Sequence, residues 1–356
     1  MKQKICYFKI KPSDTMFFRS GSIFKKRFGN YIESLDIPYP SVFYGAIFSM
    51  LLRQKKFKYI LEYIKNKSGN IPKELEKVFK IDGIYLYDEG KKRMFIKAPL
   101  DLFENKFGTA LGIYKDNHFY SPISDISKYE RADGKFIGLD DLINSYYKGF
   151  INKIQLYSRD YFFTTYIKTG IEMDRGIGSA KNNFMYRVNM VEFADKRFSY
   201  IVKCRIDPEN IPFENDILKL GGESKIASLV FTDKSINILD DLEKYFNRIT
   251  IFNNKIKVIL TSPMIIDGQD NKEKKDKILI KITGRPDYIG GFDMASGEQK
   301  TINKAIPAGS VLILENDCFK GKKIGEIYNK FILDAKEKFK GFGNVIIMPF
   351  ERGNKL

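Results

Sequence analysis

KQKICYFKIK, residues 2–11, alternates apolar and polar side chains, the two-residue period of a strand with one covered face. A long basic segment follows from Pro12, containing FFRSGSIFKKRFGN, and ends at Pro38 and Pro40. In PSVFYGAIFSMLL, residues 40–52, Val42, Ala46, Ile47, Met50 and Leu51 share one helical face, and Ser41 is placed to cap the helix. A strand, a basic loop and a helix open the chain, and this helix with the two antiparallel pairs that follow predicts an α+β fold.

Working outward, IDGIYLY (81–87) and RMFIKAP (93–99) flank Asp88, Glu89 and Gly90 as a hairpin. Patterning weakens from about Asp101 to Ile154, which reads as insertions or loops. Strand periods return at TTYIKTGIEM (164–173), YRVNMVEF (186–193) and FSYIVKCRI (198–206), the last two joined through Ala194 to Arg197 as a second hairpin. A short helical stretch, Leu239 to Asn247, precedes a restart at KIKVILTSPMII (255–266). KILIKITG (277–284), a turn at Gly290 and Gly291, SVLILE (310–315), a helix from Gly325 to Phe339 and a last strand NVIIMPF (344–350) follow. Strands, helix and strand within so short a span fit a small unit of ferredoxin-like type. The chain is therefore divided into an N-terminal domain, 1–250, carrying insertions, and a C-terminal domain, 251–356.

A length of 356 residues suits two such domains, and 43% hydrophobic residues, spread along the chain, are enough to fold it throughout. No apolar run reaches the roughly 18 residues that span a bilayer, and the N-terminus has no signal-peptide core, so a cytoplasmic location is expected. Cys6, Cys204 and Cys318 lie far apart and are read as core residues; with one His in the chain they form neither a disulfide framework nor a zinc site. Lys and Arg number 61 against 44 Asp and Glu, a formal charge of +17 that attracts polyanions. Codon bias toward A+T inflates Lys together with Ile, Asn, Tyr and Phe, but it would raise Asp and Glu too. The imbalance therefore points to a nucleic-acid or acidic partner.

Catalytic constellations are sparse. The single His, His118, sits in a weakly patterned stretch and reads as a surface-loop residue. The adjacent pairs Asp140–Asp141 and Asp240–Asp241 read as solvated acidic faces whose carboxylates diverge. Gly321-Lys322-Lys323 lacks the spacing and the Ser or Thr of a phosphate loop. Binding features are richer. Arg19, Lys25, Lys26 and Arg27 interleave with Phe17, Phe18, Phe24 and Phe28, the mix of cations and stacking surfaces that single-stranded RNA uses. Gly221 and Gly222 beside Lys225, and Gly341 and Gly343 after a Lys-rich segment, are turns whose backbone N–H groups could meet phosphate, although Gly341 also suits a helix C-cap.

Four blocks together resemble one family, the Cmr subunit numbered three among the CRISPR RAMP proteins. They are PSDTMFFRSGSIF from Pro12 with PYPSVFYGAIFSMLL from Pro38; KTGIEMDR from Lys168 with NNFMYRVNMVEF from Asn182; LKLGGESKIASL from Leu218; and GGFDMASGEQKTINKAIPAGSVLIL from Gly290 with the terminal GFGNVIIMPF. Phe48, Asn183 and Phe292 depart from the family's usual Arg, Gly and Trp. The resemblance implies two ferredoxin-like (RRM-like) RAMP domains and a non-catalytic subunit of the type III-B complex, needing no cofactor or metal and touching no membrane. It implies contacts with the 5′ tag of the CRISPR RNA, with the large Cas-ten-type subunit and with other Cmr subunits, target cleavage belonging to the backbone subunit. It adds Ser41, Gly45, Arg175, Lys181, Lys300 and Lys304 to the RNA-facing candidates. Two alternatives stay open: a RAMP endoribonuclease that processes CRISPR precursor RNA, and the equivalent foot subunit of a related type III complex.

Overall fold

Eight of the nine residues of FSYIVKCRI are buried, so this strand must be covered on both faces and flanked on both edges. In the computed structural model it lies between the first strand and the strand of IDGIYLY, with Cys6 opposite Cys204 and Leu86 opposite Tyr200. The structure describes residues 3–19, 21, 30–56, 76–173, 176, 178–211, 215–223, 225–232, 244–265, 277–293, 297–330 and 336–350. The elements of the first part are β1 (Lys4–Pro12), α1 (Pro40–Arg53), β2 (Phe79–Asp88), β3 (Arg93–Lys97), β4 (Phe136–Gly138), β5 (Leu156–Tyr157), β6 (Phe163–Met173), β7 (Ala180–Phe193), β8 (Phe198–Ile206), β9 (Asp216–Lys219) and β10 (Ile226–Thr232). They build an eight-stranded sheet in the order β5-β4-β3-β2-β8-β1-β10-β9.

The β2–β3 hairpin forms as expected, Asp88 pairing with Arg93. The hairpin expected between YRVNMVEF and FSYIVKCRI does not form. β7 instead pairs along its length with β6, from Phe163 opposite Phe193 to Met173 opposite Ala180, and Asn30–Ile32 adds to it in parallel. The reason is coverage: β8 needs a neighbour on each edge inside the large sheet, whereas β6 carries exposed Tyr166, Ile167 and Ile171 and can stand apart. The α1 helix covers one face of the sheet with Phe43, Tyr44, Ile47, Met50 and Leu51 buried, against Phe8, Ile10, Phe79, Tyr200 and Val202. Ser41 is not its cap. Tyr39 occupies that place without a side-chain hydrogen bond, and Pro40, whose fixed φ suits the first turn and whose missing N–H costs nothing there, starts the helix.

The second part contains β11 (Lys255–Leu260), β12 (Met264–Ile265), β13 (Lys277–Ile282), β14 (Asp287–Ile289), β15 (Asn303–Ile306), β16 (Val311–Glu315), α2 (Ile324–Lys330) and β17 (Val345–Pro349). Four strands form an antiparallel sheet in the order β13-β16-β11-β17, and three more form the small sheet β12-β15-β14. The succession β2-β8-β1-β10 in the large sheet repeats that order and those directions. In each set the first two strands run the same way with the third between them, and the fourth flanks the first. Of the expected helix from Gly325 to Phe339, α2 covers the first part as far as Lys330, residues 331–335 lie outside the described residues, and Lys338–Lys340 form a 3₁₀ turn closed by Gly341 at φ 100°. Cys318 is exposed on another 3₁₀ turn, unlike the buried Cys6 and Cys204, and so is not a core residue.

The weakly patterned stretch from Asp101 to Ile154 is not merely loop. It holds several short strands and a six-residue π-helical turn, Leu142–Tyr147. Sparse patterning follows from strands of two to four residues, too short to display a period. This insertion meets the second part in a buried polar knot. The Lys257 ammonium on β11 lies 2.9 Å from the Asp101 carboxylate and 3.2 Å from the Tyr146 hydroxyl. Tyr146 donates to both carboxylate oxygens at 2.8 and 2.7 Å, and Tyr114 donates at 2.5 Å. Both tyrosine rings lie about 5 Å from the ammonium, and burial beside Asp101 pushes both hydroxyls well above the ordinary phenol range. A second tie, Leu100 N–H to the Gly309 carbonyl at 2.8 Å, reinforces it. Around these, Tyr7, Met94, Ile96 and Ile201 pack in one core with Ile256, Val258, Leu312 and Ile347, so the back of the large sheet and the smaller sheet share an interior.

Removing one partner leaves the other charge buried and unpaired. Asp101→Ala is expected to lower the unfolding free energy by roughly 3–5 kcal/mol, measured by urea titration, and Asp101→Ala with Lys257→Met by clearly less than the single variant. Equal losses in both would show that the charges are not coupled.

Candidate nucleic-acid interface

The basic segment after β1 is pinned at every described step. The Met16 and Val191 backbones exchange hydrogen bonds at 2.6 and 2.9 Å, Phe18 N–H donates to Ser34 Oγ at 2.8 Å, and Gly222 N–H donates to the Phe17 carbonyl at 2.9 Å. Gly21 N–H donates to the Tyr288 carbonyl at 2.9 Å, carrying the segment across to the second part of the chain. A Cβ on Gly21 would fall 2.1 Å from that carbonyl oxygen, so only glycine permits the approach. Arg19 is exposed and bridges Ser34. Phe18 is 1% exposed in the core under α1 and cannot stack on a base. Lys25, Lys26, Arg27, Phe24, Phe28 and Arg175 lie outside the described residues, as do Asp240 and Asp241, and of Lys181 only the backbone is described.

The glycine turns act inward. Gly221, at φ 81°, has the Phe17 carbonyl 2.7 Å and the Phe18 ring 2.8 Å from where a Cβ would stand. The Gly341 N–H donates to Lys338, its carbonyl accepts from Ser262 Oγ at 2.7 Å and from Asn344 Nδ2 at 3.0 Å, and Gly343 N–H donates to Pro263. With the N–H groups of Gly222, Gly341 and Gly343 spent inside the protein, the reading of free donors for phosphate is corrected at these positions: the glycines let the segments close on one another. Lys225 likewise holds its own loop, donating to Asp14 at 2.7 Å and Thr15 at 3.1 Å, and its hydrogen bond keeps the Asp14 carboxyl below the usual range. Ser41 is half-buried, while Gly45 is exposed with nothing within 4 Å of a Cβ.

Beyond Gly21 the surface changes character. Gly290 packs against the Gly21 Cα and Ile302, and Lys300 N–H donates to the Gly291 carbonyl at 2.9 Å. Lys300 and Lys304 are exposed. Lys340 pairs with Glu337, and burial, aided by the neighbouring Lys300 charge, pulls its ammonium pKa down against that pairing. On the inner side, burial raises the Asp287 carboxyl despite Lys97, and the Tyr39 hydroxyl, 3.5 Å from the Tyr288 carbonyl, is pushed above its usual range by burial and by Asp287. The Lys97 ammonium lies 4.2 Å from the Phe136 ring centre, its pKa lowered by burial against the pull of Asp36, Asp133 and Asp287. The candidate interface is thus a seam: Gly21 holds the N-terminal segment to Tyr288 of the small sheet, with Arg19, Lys300 and Lys304 exposed and the half-buried Lys97 and Asp287 on the inner side.

The model of the CRISPR-associated protein (Cas_Cmr3) family matches this chain over residues 8–348. The chain belongs to that family. Among solved structures, chains of the Type III-B Cmr-beta bound to cognate target RNA and AMPPnP, and of the Type III-B Cmr-beta bound to cognate target RNA, are similar at 20% and 18% identity. Each match covers 92% of this chain and 90% of the other, with a TM-score of 0.51, and shows a shared fold. No curated protein matches in sequence.

In this member of the family, the acidic pair Asp140 and Asp141 does not diverge into solvent. Both carboxylates close on the Arg93 guanidinium, at 2.8 and 3.0 Å, because a short helical turn directs them toward β3. His118 is exposed on a three-residue strand rather than in a loop, its Nδ1 2.8 Å from the Asp116 carbonyl. Among the described residues, no group of three or more His, Cys, Asp or Glu could hold a metal ion, and no helix is long and apolar enough to cross a membrane. Sequence reading missed Tyr288, 53% exposed beside Lys304; the alternation in DYI, with Ile289 buried, was the available signal.

Two glycine substitutions separate close approach from open space. Gly21→Ala is expected to cost roughly 1–3 kcal/mol of stability, while Gly45→Ala, inside α1 and unobstructed, gains roughly 0.5–1 kcal/mol. Denaturant midpoints moving in the same direction for both would contradict the described seam.

Proposed function

We propose that this chain is a non-catalytic RNA-binding subunit of the type III-B Cmr effector complex, working in the cytoplasm, holding the 5′ tag of the guide RNA and contacting the large Cas-ten-type subunit. The observation that carries this reading is the family match from residue 8 to 348, nearly end to end. The structural relatives stand in complexes bound to target RNA, which supports the same company for this chain. The repeated strand order supports two ferredoxin-like RAMP units, and the span between β10 and β11 suits a division at residue 250.

A net charge of +17 supports long-range attraction of RNA, and the exposed cations of the seam support it as the place. Arg19, Lys300 and Lys304 stand on it, with Lys25, Lys26 and Arg27 in the same segment as Arg19. The endoribonuclease alternative would draw on Lys, Tyr or Ser near a basic groove, and no particular contact among the described residues favours it. Substituting Arg19, Lys25, Lys26 and Arg27 together by Gln is compared with substituting the exposed Lys106, Lys115, Lys128 and Lys148, an equal change in charge. Titration with tagged guide RNA at several salt concentrations should show the larger loss in the first variant, and a log–log salt slope shallower by roughly one per phosphate contact removed. Equal losses would mean that only the overall field matters, and the segment would lose its place in the interface.

A further inference from the structure

The small sheet β12-β15-β14 has one face inside the protein and one outside. Ile289 and Ala305 point inward and pack with Tyr39, Ile265 and Phe342. The register that sets Tyr288 opposite Lys304 puts both on the outer face, and two-residue alternation places Ile302 diagonally beside Tyr288. Tyr288 is 53% exposed and Ile302 49%. Tyr288 is an exposed aromatic ring with an aliphatic neighbour, on a strand whose backbone is fixed by Gly21 and by β15. Backbone contacts on both sides hold the strand that carries the ring, so the backbone needs little ordering when something lands on it.

We propose that this outer face is a stacking platform for an unpaired base of single-stranded RNA, with Tyr288 as the stacking ring, Ile302 as its apolar floor and Lys304 and Lys300 as contacts to the flanking phosphates. This rests on the RNA-binding reading above and names the site within it. The choice of occupant follows from charge. Lys300 and Lys304 stand at alternate positions with Ile302, about 13 Å apart if the segment is extended. Both ammonium-bearing side chains are exposed, and Lys300 also neighbours Lys340, whose protonation its charge opposes. A protein partner of apolar character would have to desolvate these ammonium groups, whereas a nucleotide offers a base to the ring and an anion to the cations. The Gly21 N–H, 2.9 Å from the Tyr288 carbonyl, brings the segment after β1 against the strand that carries the ring.

The test uses the assembled effector complex and tagged guide RNA. Tyr288→Ala is expected to weaken guide binding about tenfold, Tyr288→Phe to leave it within about twofold because stacking needs the ring and not the hydroxyl, and each variant is checked to melt like the parent. A fluorescent adenine analogue scanned through the tag should be quenched at one position in the parent and in Tyr288→Phe, and released in Tyr288→Ala. If the parent complex binds guide RNA and Tyr288→Ala binds it equally with unchanged quenching, the platform is overturned while the broader reading stands. If the parent chain makes no RNA contact within the complex, the broader reading itself fails. Loss of a protein subunit from the Tyr288→Ala complex with RNA affinity intact would overturn the proposal in favour of a protein occupant.

Discussion

Lys257 and Asp101 form an ion pair almost without access to water, and the arrangement of the chain depends on it. Alone, either charge would be expelled from such a place. Two tyrosine hydroxyls fill the carboxylate's remaining lone pairs and two ring faces receive the ammonium, so the pair is held by geometry as well as attraction. Its location carries the consequence. Asp101 begins the insertion that follows β3, Lys257 lies on the first strand of the second sheet, and satisfying one charge requires the two parts to dock in one orientation. A wholly apolar junction would bury comparable area but tolerate sliding.

Once docked, the back of the large sheet and the smaller sheet share an interior, and the small sheet β12-β15-β14 is brought beside the segment that follows β1. Gly21 and Gly221 let these segments approach to distances at which a side chain would collide with backbone or aromatic ring. The glycines that resemble phosphate loops in sequence therefore serve the seam, and the charges around them serve its surface. Fold and candidate function meet at that point: the Gly21 contact that closes the seam is made to the backbone of Tyr288, whose side chain stands opposite Lys304.

Much of this was legible in the sequence where a period survives. β1, the β2–β3 hairpin, β11, β16 and β17 all show the alternation or apolar run that their burial requires. Pairing was less legible, because the partner of a strand is set by what covers its other face. YRVNMVEF and FSYIVKCRI look like a hairpin until the near-complete burial of the second demands two neighbours of its own. The Lys257–Asp101 contact joins residues 156 apart, and Asp101 lies in a stretch whose strands are too short for a period, so no local signal announced it. Glycine and lysine identities single out a candidate region, but whether a glycine faces a ligand or its own chain depends on packing that spacing does not encode. Tyr288 was within reach, since the alternation in DYI already sets it opposite the buried Ile289.

The central claim is that the seam between the two parts is where RNA lies, and photo-crosslinking of 4-thiouridine-substituted tag RNA in the assembled complex tests it most directly. Crosslinked peptides should map to residues 14–27 and 287–304 on the two sides of the seam. Crosslinks confined to the outer insertion, residues 106–131, would contradict it.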